Sequence, residues 1–112
     1  MTLAPVTLTP VILTKDQTIE MAEMFRLMGD STRLRILMAC LKGPVAVGHL
    51  AELTGASPSL VSHHLRLLRA ARILSAERRG KKVYYTAADE HIRSVVSDMI
   101  DHVAEPADDG DG

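Results

Sequence analysis

At 112 residues, with 46% hydrophobic and 24% charged residues, the chain has the composition of one small globular domain. A net charge of -1 excludes a uniformly basic nucleic-acid binder, and 3% aromatics demands an aliphatic, methionine-rich core. The single cysteine, Cys40, excludes an intramolecular disulfide, as expected of a cytoplasmic protein. A domain this small has reason to pair with a second copy, since pairing buries apolar surface that its own core cannot.

Residues 1–16 read as an arm. It is apolar but broken by Pro5 and Pro10, lacks a basic leader region and is too short to span a bilayer, so no membrane partner is expected. From Thr18 to Met28, Ile19, Ala22, Met24, Phe25 and Met28 recur at helical steps, and Gly29 stops the run. A second helix, capped by Asp30 or Ser31, is predicted to reach Lys42 with Leu34, Leu37, Met38 and Leu41 inward; Gly43-Pro44 ends it. Cys40 falls among its apolar residues and reads as a small buried hydrophobe. Val47–Leu53 is a short third helix closing at Thr54-Gly55-Ala56, and its His49 reads as a surface residue.

Ser57-Pro58 sets an N-cap residue before a proline at the first helical position, which starts a helix sharply. In the helix predicted over Pro58–Ala70, Val61, Leu65 and Leu68 take one side, and Ser59, Ser62, His63 and Arg66 the other. A short helix, a tight turn holding Gly55 and a second helix with small polar donors outward form a helix-turn-helix pattern, suited to base edges and phosphates in a major groove. An ordinary helical hairpin with a solvated face fits this stretch equally well. The next segment separates the two. Ile73–Arg78 and Val83–Thr86 are strand-like runs joined by Arg79-Gly80-Lys81-Lys82, a β-hairpin with a basic tip. Directly after a recognition-type helix, such a hairpin reads as the wing of a winged helix. Arg78, Arg79, Lys81 and Lys82 are then placed to neutralise backbone phosphates of double-stranded DNA. Between Arg66 and Lys82 seven cations face the single Glu77, a basic stripe within a neutral total that the tail over 106–112, with Asp108, Asp109 and Asp111, offsets.

The stretch Asp89–Glu105 reads as one helix with metal-ligand residues at both ends, Asp89 and His91 in the first turn and His102 and Glu105 in the last. At about 1.5 Å per residue the two histidines lie roughly 16 Å apart. One chain therefore cannot close a site around one ion. Two copies packed antiparallel across a two-fold axis bring the first-turn pair of one to the last-turn pair of the other, giving two equivalent sites. Ile92, Val95, Val96, Met99, Ile100 and Val103 draw the apolar stripe that such a contact needs. Taken singly, Asp89 reads as an N-cap and the histidines as solvated; the set of four, with its spacing, reads as metal binding.

Three segments together, GDSTRLRIL over 29–37, LVSHHL over 60–65 and RGKKVYY over 79–85, resemble the ArsR/SmtB family of bacterial metal-sensing repressors. The similarity runs from about Glu20 to Glu105. It implies a mainly α, winged helix-turn-helix homodimer built by its N- and C-terminal helices. Such a protein holds an inverted-repeat operator when metal-free and releases it on metal binding, with no enzymatic activity and no small-molecule substrate. Asp89, His91, His102 and Glu105 are similar to the inter-subunit zinc site of the family's zinc sensors. The resemblance also implies that His102, once metal-bound, hydrogen-bonds a backbone carbonyl near Arg72. Other members bind metal through thiolates on the third helix. The corresponding residues here are Ala46-Val47-Gly48-His49, so sensing arsenic, lead or cadmium there is not expected. Two imidazoles and two carboxylates suit zinc, with cobalt(II) a mimic; nickel ranks lower, because no His or Cys precedes Cys40. The competing readings are a nickel or cobalt sensor, a winged-helix regulator that responds to no metal, and a zinc buffer without an operator.

Overall fold

The computed structural model describes residues 12–107, so most of the N-terminal arm and the aspartates of the tail lie outside the described residues. Among the described residues five helices and three short strands follow in the order α1 Lys15–Met28, α2 Ser31–Ala39, β1 Val45–Ala46, α3 Val47–Thr54, α4 Pro58–Ala70, β2 Leu74–Arg79, β3 Lys82–Ala87 and α5 Glu90–Ala104. This is a mainly helical fold with a small antiparallel hairpin, as the sequence predicts.

The local signals act where residue chemistry places them. Thr14 caps α1 in a capping box with Gln17, each side chain serving the other's backbone amide. The helix thus starts three residues before the predicted Thr18. Asp30 caps α2 by accepting from the Arg33 amide. This helix ends at Ala39 with Cys40 as its C-cap, short of the predicted Lys42, because the carbonyls of Cys40 and Leu41 bond elsewhere: Ala87 N and Thr86 Oγ1 donate to Cys40 O at 3.1 and 3.3 Å, and Arg93 Nε donates to Leu41 O at 3.1 Å. The freed chain passes through Gly43-Pro44 into β1, a strand the sequence does not announce. It pairs antiparallel with β3, Val45 opposite Tyr85, so the sheet runs β1-β3-β2.

The core gathers one face from each helix around Ile36, Leu37, Leu50, Val61, Leu65, Leu68 and Ile73, all fully buried, with Cys40 among them. Predicted inward residues of α2 divide: Leu37 is buried, Leu34 and Leu41 are half-buried, and Met38 is exposed, since Ile36 faces the core in its place. Two helices keep large apolar side chains outside. On α1 only Leu27 is buried, while Ile19, Met21 and Phe25 are exposed; on α5 only Val96 is buried, while Val95, Met99, Ile100 and Val103 are exposed. These surfaces meet at a shallow apolar pocket of about 140 Å³ lined by Met21, Met24, Phe25, Met28, His91, Ile92 and Val95. Among the described residues no helix is long and apolar enough to cross a membrane.

Candidate DNA interface and metal-ligand pairs

The α3–α4 unit is built to hold its second helix at a fixed angle. Gly55 closes α3 in the left-handed conformation at φ 73°, its amide donating to Ala51 O, and the Thr54 hydroxyl donates to Leu50 O while accepting from the Ala56 amide. Arg35 of α2 reaches across to donate to Leu53 O at 2.6 Å and Thr54 O at 3.4 Å, satisfying carbonyls that the helix end leaves free. Three residues later Ser57 caps α4 by accepting from the Leu60 amide, ahead of Pro58. Val61, His64, Leu65 and Leu68 seat α4 in the core. The opposite side presents Ser59, His63 and Arg66 exposed and Ser62 half-buried, at the helical spacing predicted for a DNA-reading face.

The wing follows after Arg72, which adopts φ 61° and pairs with Glu20 of α1. Its two strands run in register from Leu74 opposite Ala87 to Arg79 opposite Lys82. The tip is therefore only Gly80-Lys81, Gly80 supplying φ 63°, and Arg79 and Lys82 sit in the ladder rather than in the predicted four-residue tip. The four cations differ in freedom. Arg78 donates to Gly80 O, and Arg79 donates to Glu77 at 3.0 Å and lies over the Tyr84 ring at 5.2 Å. Lys81 and Lys82 are exposed and form no ion pair among the described residues.

On α5, Asp89 is the N-cap, with Oδ1 accepting from the Ile92 amide at 3.0 Å, and His91 follows exposed in the first turn. At the other end His102 lies in the last turn. Glu105 is the C-cap residue with extended backbone, one step beyond the helix rather than inside its last turn, although its amide still donates to Asp101 O. All four side chains are exposed, and among the described residues no three His, Cys, Asp or Glu of one chain converge on an ion. The donor set fits zinc only as two half-sites brought together by two chains: each end offers one imidazole and one carboxylate, and four such donors match its tetrahedral preference. Within the single chain no hydrogen bond joins His102 to the segment around Arg72, among the described residues.

Residues that sequence patterns did not single out tie these parts together. Arg33 donates through Nε to Leu27 O at 2.7 Å, and its NH1 lies 3.4 Å from Nδ1 of His64, the buried histidine of α4. Burial, reinforced by the Arg33 charge, lowers the His64 pKa and favours the neutral ring. A charged residue followed by an apolar helical run was the available signal for Arg33 and Arg93, but their partners stand far off in sequence. His49, on α3, lies exposed 4.0 Å from Glu52 beside Lys81 and Lys82, and offers no third ligand.

A recognition-type helix set by a tight turn and followed at once by a basic hairpin defines a winged helix-turn-helix DNA-binding protein. The wider comparison agrees. Residues 30–76 match the family described as bacterial regulatory protein, arsR family, and the chain is 38% identical over 96 residues to the transcriptional repressor SmtB homolog of Synechocystis sp., covering 86% of this chain and 73% of that protein. The chain belongs to the arsR family of bacterial regulatory proteins. It is also 34% identical over 96 residues to the cadmium resistance transcriptional regulatory protein CadC homolog of Staphylococcus aureus, covering 85% and 79% of the two chains. Among solved structures, a homodimeric winged helix-turn-helix DNA-binding domain from Mycobacterium bovis superposes with a TM-score of 0.71 at 23% identity, covering 85% of this chain and 90% of that one.

Proposed function

We propose that this chain is a metal-responsive transcriptional repressor that works as a homodimer. It holds an inverted-repeat operator when metal-free, and zinc binding between the two subunits releases the DNA, derepressing genes for metal efflux or sequestration. The observation that carries this reading is α5 itself: a helix with His91 beside its capping Asp89 at one end, His102 and Glu105 at the other, and an uncovered apolar stripe of Val95, Met99, Ile100 and Val103 between them. The repressor and resistance-regulator names of the relatives support it. Asp89 and His91 of one copy, with His102 and Glu105 of a second, would hold the ion. When bound, zinc supplies a crosslink between the two helices and no catalysis.

The remaining work belongs to the protein. Ser57, Ser59, Ser62, His63 and Arg66 meet the major groove, and Arg78, Arg79, Lys81 and Lys82 reach phosphates beside it. Two such units must sit roughly 34 Å apart to enter successive major grooves. Any change in the α5–α5 angle alters that spacing, so the dimer axis couples the ligand pairs to the DNA face. A tenfold weakening of DNA corresponds to about 1.4 kcal/mol of coupling, and DNA weakens zinc by the same factor. Cobalt(II) in place of zinc would use the same donors.

Zinc titrated into the dimer bound to operator DNA tests this reading. The expected result is release complete at two zinc ions per dimer, with DNA affinity falling steeply with salt in both states. Operator that stays bound at saturating zinc sinks the sensor; zinc binding without any operator leaves a buffer.

A further inference from the structure

We infer that Arg93 is the residue that transmits the position of α5 to the DNA-binding unit; this rests on the sensor reading above. Its guanidinium joins three elements at once. Nε donates to Leu41 O at 3.1 Å, just past the end of α2, and NH2 donates to Thr86 Oγ1 at 3.2 Å, near the end of β3. Thr86 in turn donates to Cys40 O. The third arm, NH1, bonds Glu90 within α5. Arg93 stands one turn beyond Asp89, whose carbonyl accepts from the Arg93 amide at 3.1 Å.

What lies beyond Leu41 gives the contact its reach. From the same helix α2, Arg35 holds the closing carbonyls of α3, and Arg33 lies against His64 of α4. The chain just past α2 therefore meets the metal-ligand helix, and α2 itself touches both helices of the DNA-reading unit along its flank. A planar guanidinium fixes direction as well as distance. The Arg93 side chain is 30% exposed, so its bonds are part-shielded from water and costly to leave unmade. Turning α5 must either carry α2 and the wing with it or break this fork. The exposed ligand pairs make no other side-chain bond to those elements among the described residues. Arg93 is a positioning residue: it touches neither ion nor DNA.

The experiment measures operator affinity of the full-length dimer by fluorescence anisotropy, with chelator and with saturating zinc, and zinc affinity without DNA by chelator competition. Arg93→Met is expected to keep zinc-free operator affinity and zinc affinity within about threefold of wild type while the ratio of the two operator affinities falls about tenfold, a loss of about 1.4 kcal/mol of coupling. Glu90→Ala, which removes only the arm inside α5, should leave the ratio unchanged. If Arg93→Met does not fold, Thr86→Val cuts the fork from the other side and should lower the ratio. An unchanged ratio in the folded variant overturns the inference, as does an equal loss of operator affinity with and without zinc, the mark of a merely structural role. A wild-type ratio of one overturns the sensor reading, and the inference with it.

Discussion

As a proposed zinc ligand Asp89 would have two duties, and its two oxygens would divide them. Oδ1 accepts from the Ile92 amide and starts α5, which leaves Oδ2 for an ion. Substitution separates the roles. Asp89→Asn keeps an N-cap and should leave the urea midpoint nearly unchanged while zinc-induced release is lost; Asp89→Ala should lose release and about 1 kcal/mol of stability besides. Wild-type release from the Asn variant would remove Asp89 from the ligand set. His64 makes a second residue-scale prediction. Burial, then the Arg33 charge, depresses its folded-state pKa, so the unfolded chain takes up the proton first as pH falls. Its contribution to stability is therefore full above the unfolded value of about 6.5 and is lost as pH drops below it toward the folded value. Urea midpoints measured from about pH 8 to about pH 5 should fall less for His64→Gln than for wild type. Equal slopes would mean that another group governs the acid limb.

At the scale of elements, the wing offers the sharpest test. Lys81 in the turn and Lys82 beside it have no ion-pair partners among the described residues, whereas Arg79 is held by Glu77 and Tyr84. Alanine at both lysines should weaken operator and random duplex alike, and flatten the dependence of log affinity on log salt by about 0.9 for each phosphate left without its cation. Weakening confined to the operator would instead make these lysines base readers. The wing and α4 are legible in the sequence because their signals are local: Ser57-Pro58 starts a helix, and Gly80 between strand-forming runs turns a hairpin. The elements that read less well depend on distant partners. A two-residue β1 has no alternation to detect, and exists because β3 offers a free edge. The end of α2 is set by donors from β3 and α5, more than 40 residues on, which no window along the chain contains. Spacing alone puts Glu105 inside a helix that stops one residue earlier. The four proposed ligand residues stand out by their spacing, and one copy keeps the two pairs apart among the described residues.

For the molecule as a whole, the uncovered faces of α1 and α5 decide its state in solution. Ile19 and Phe25 of α1, with Met99 and Val103 of α5, are each more than half exposed in the isolated chain, an arrangement that favours a partner. Met99→Glu should leave the isolated fold intact and place an unpaired charge in the interface, at a cost of about 3–5 kcal/mol. Sedimentation should then show a dimer weakened at least a hundredfold, with operator binding lost in parallel; an undisturbed dimer would place the interface elsewhere. Cys40 extends the reasoning to stability under ligands. The side chain has no exposure, and burial pushes the thiol pKa up to about 12, so at neutral pH almost none of the reactive thiolate exists in the folded protein. An alkylating reagent must wait for the chain to open, which makes the rate of Cys40 labelling a clock of opening events. Operator DNA binds only the closed form and should slow that clock. One native sulfur then reports occupancy from the very junction where α2, β3 and α5 meet, with no dye attached.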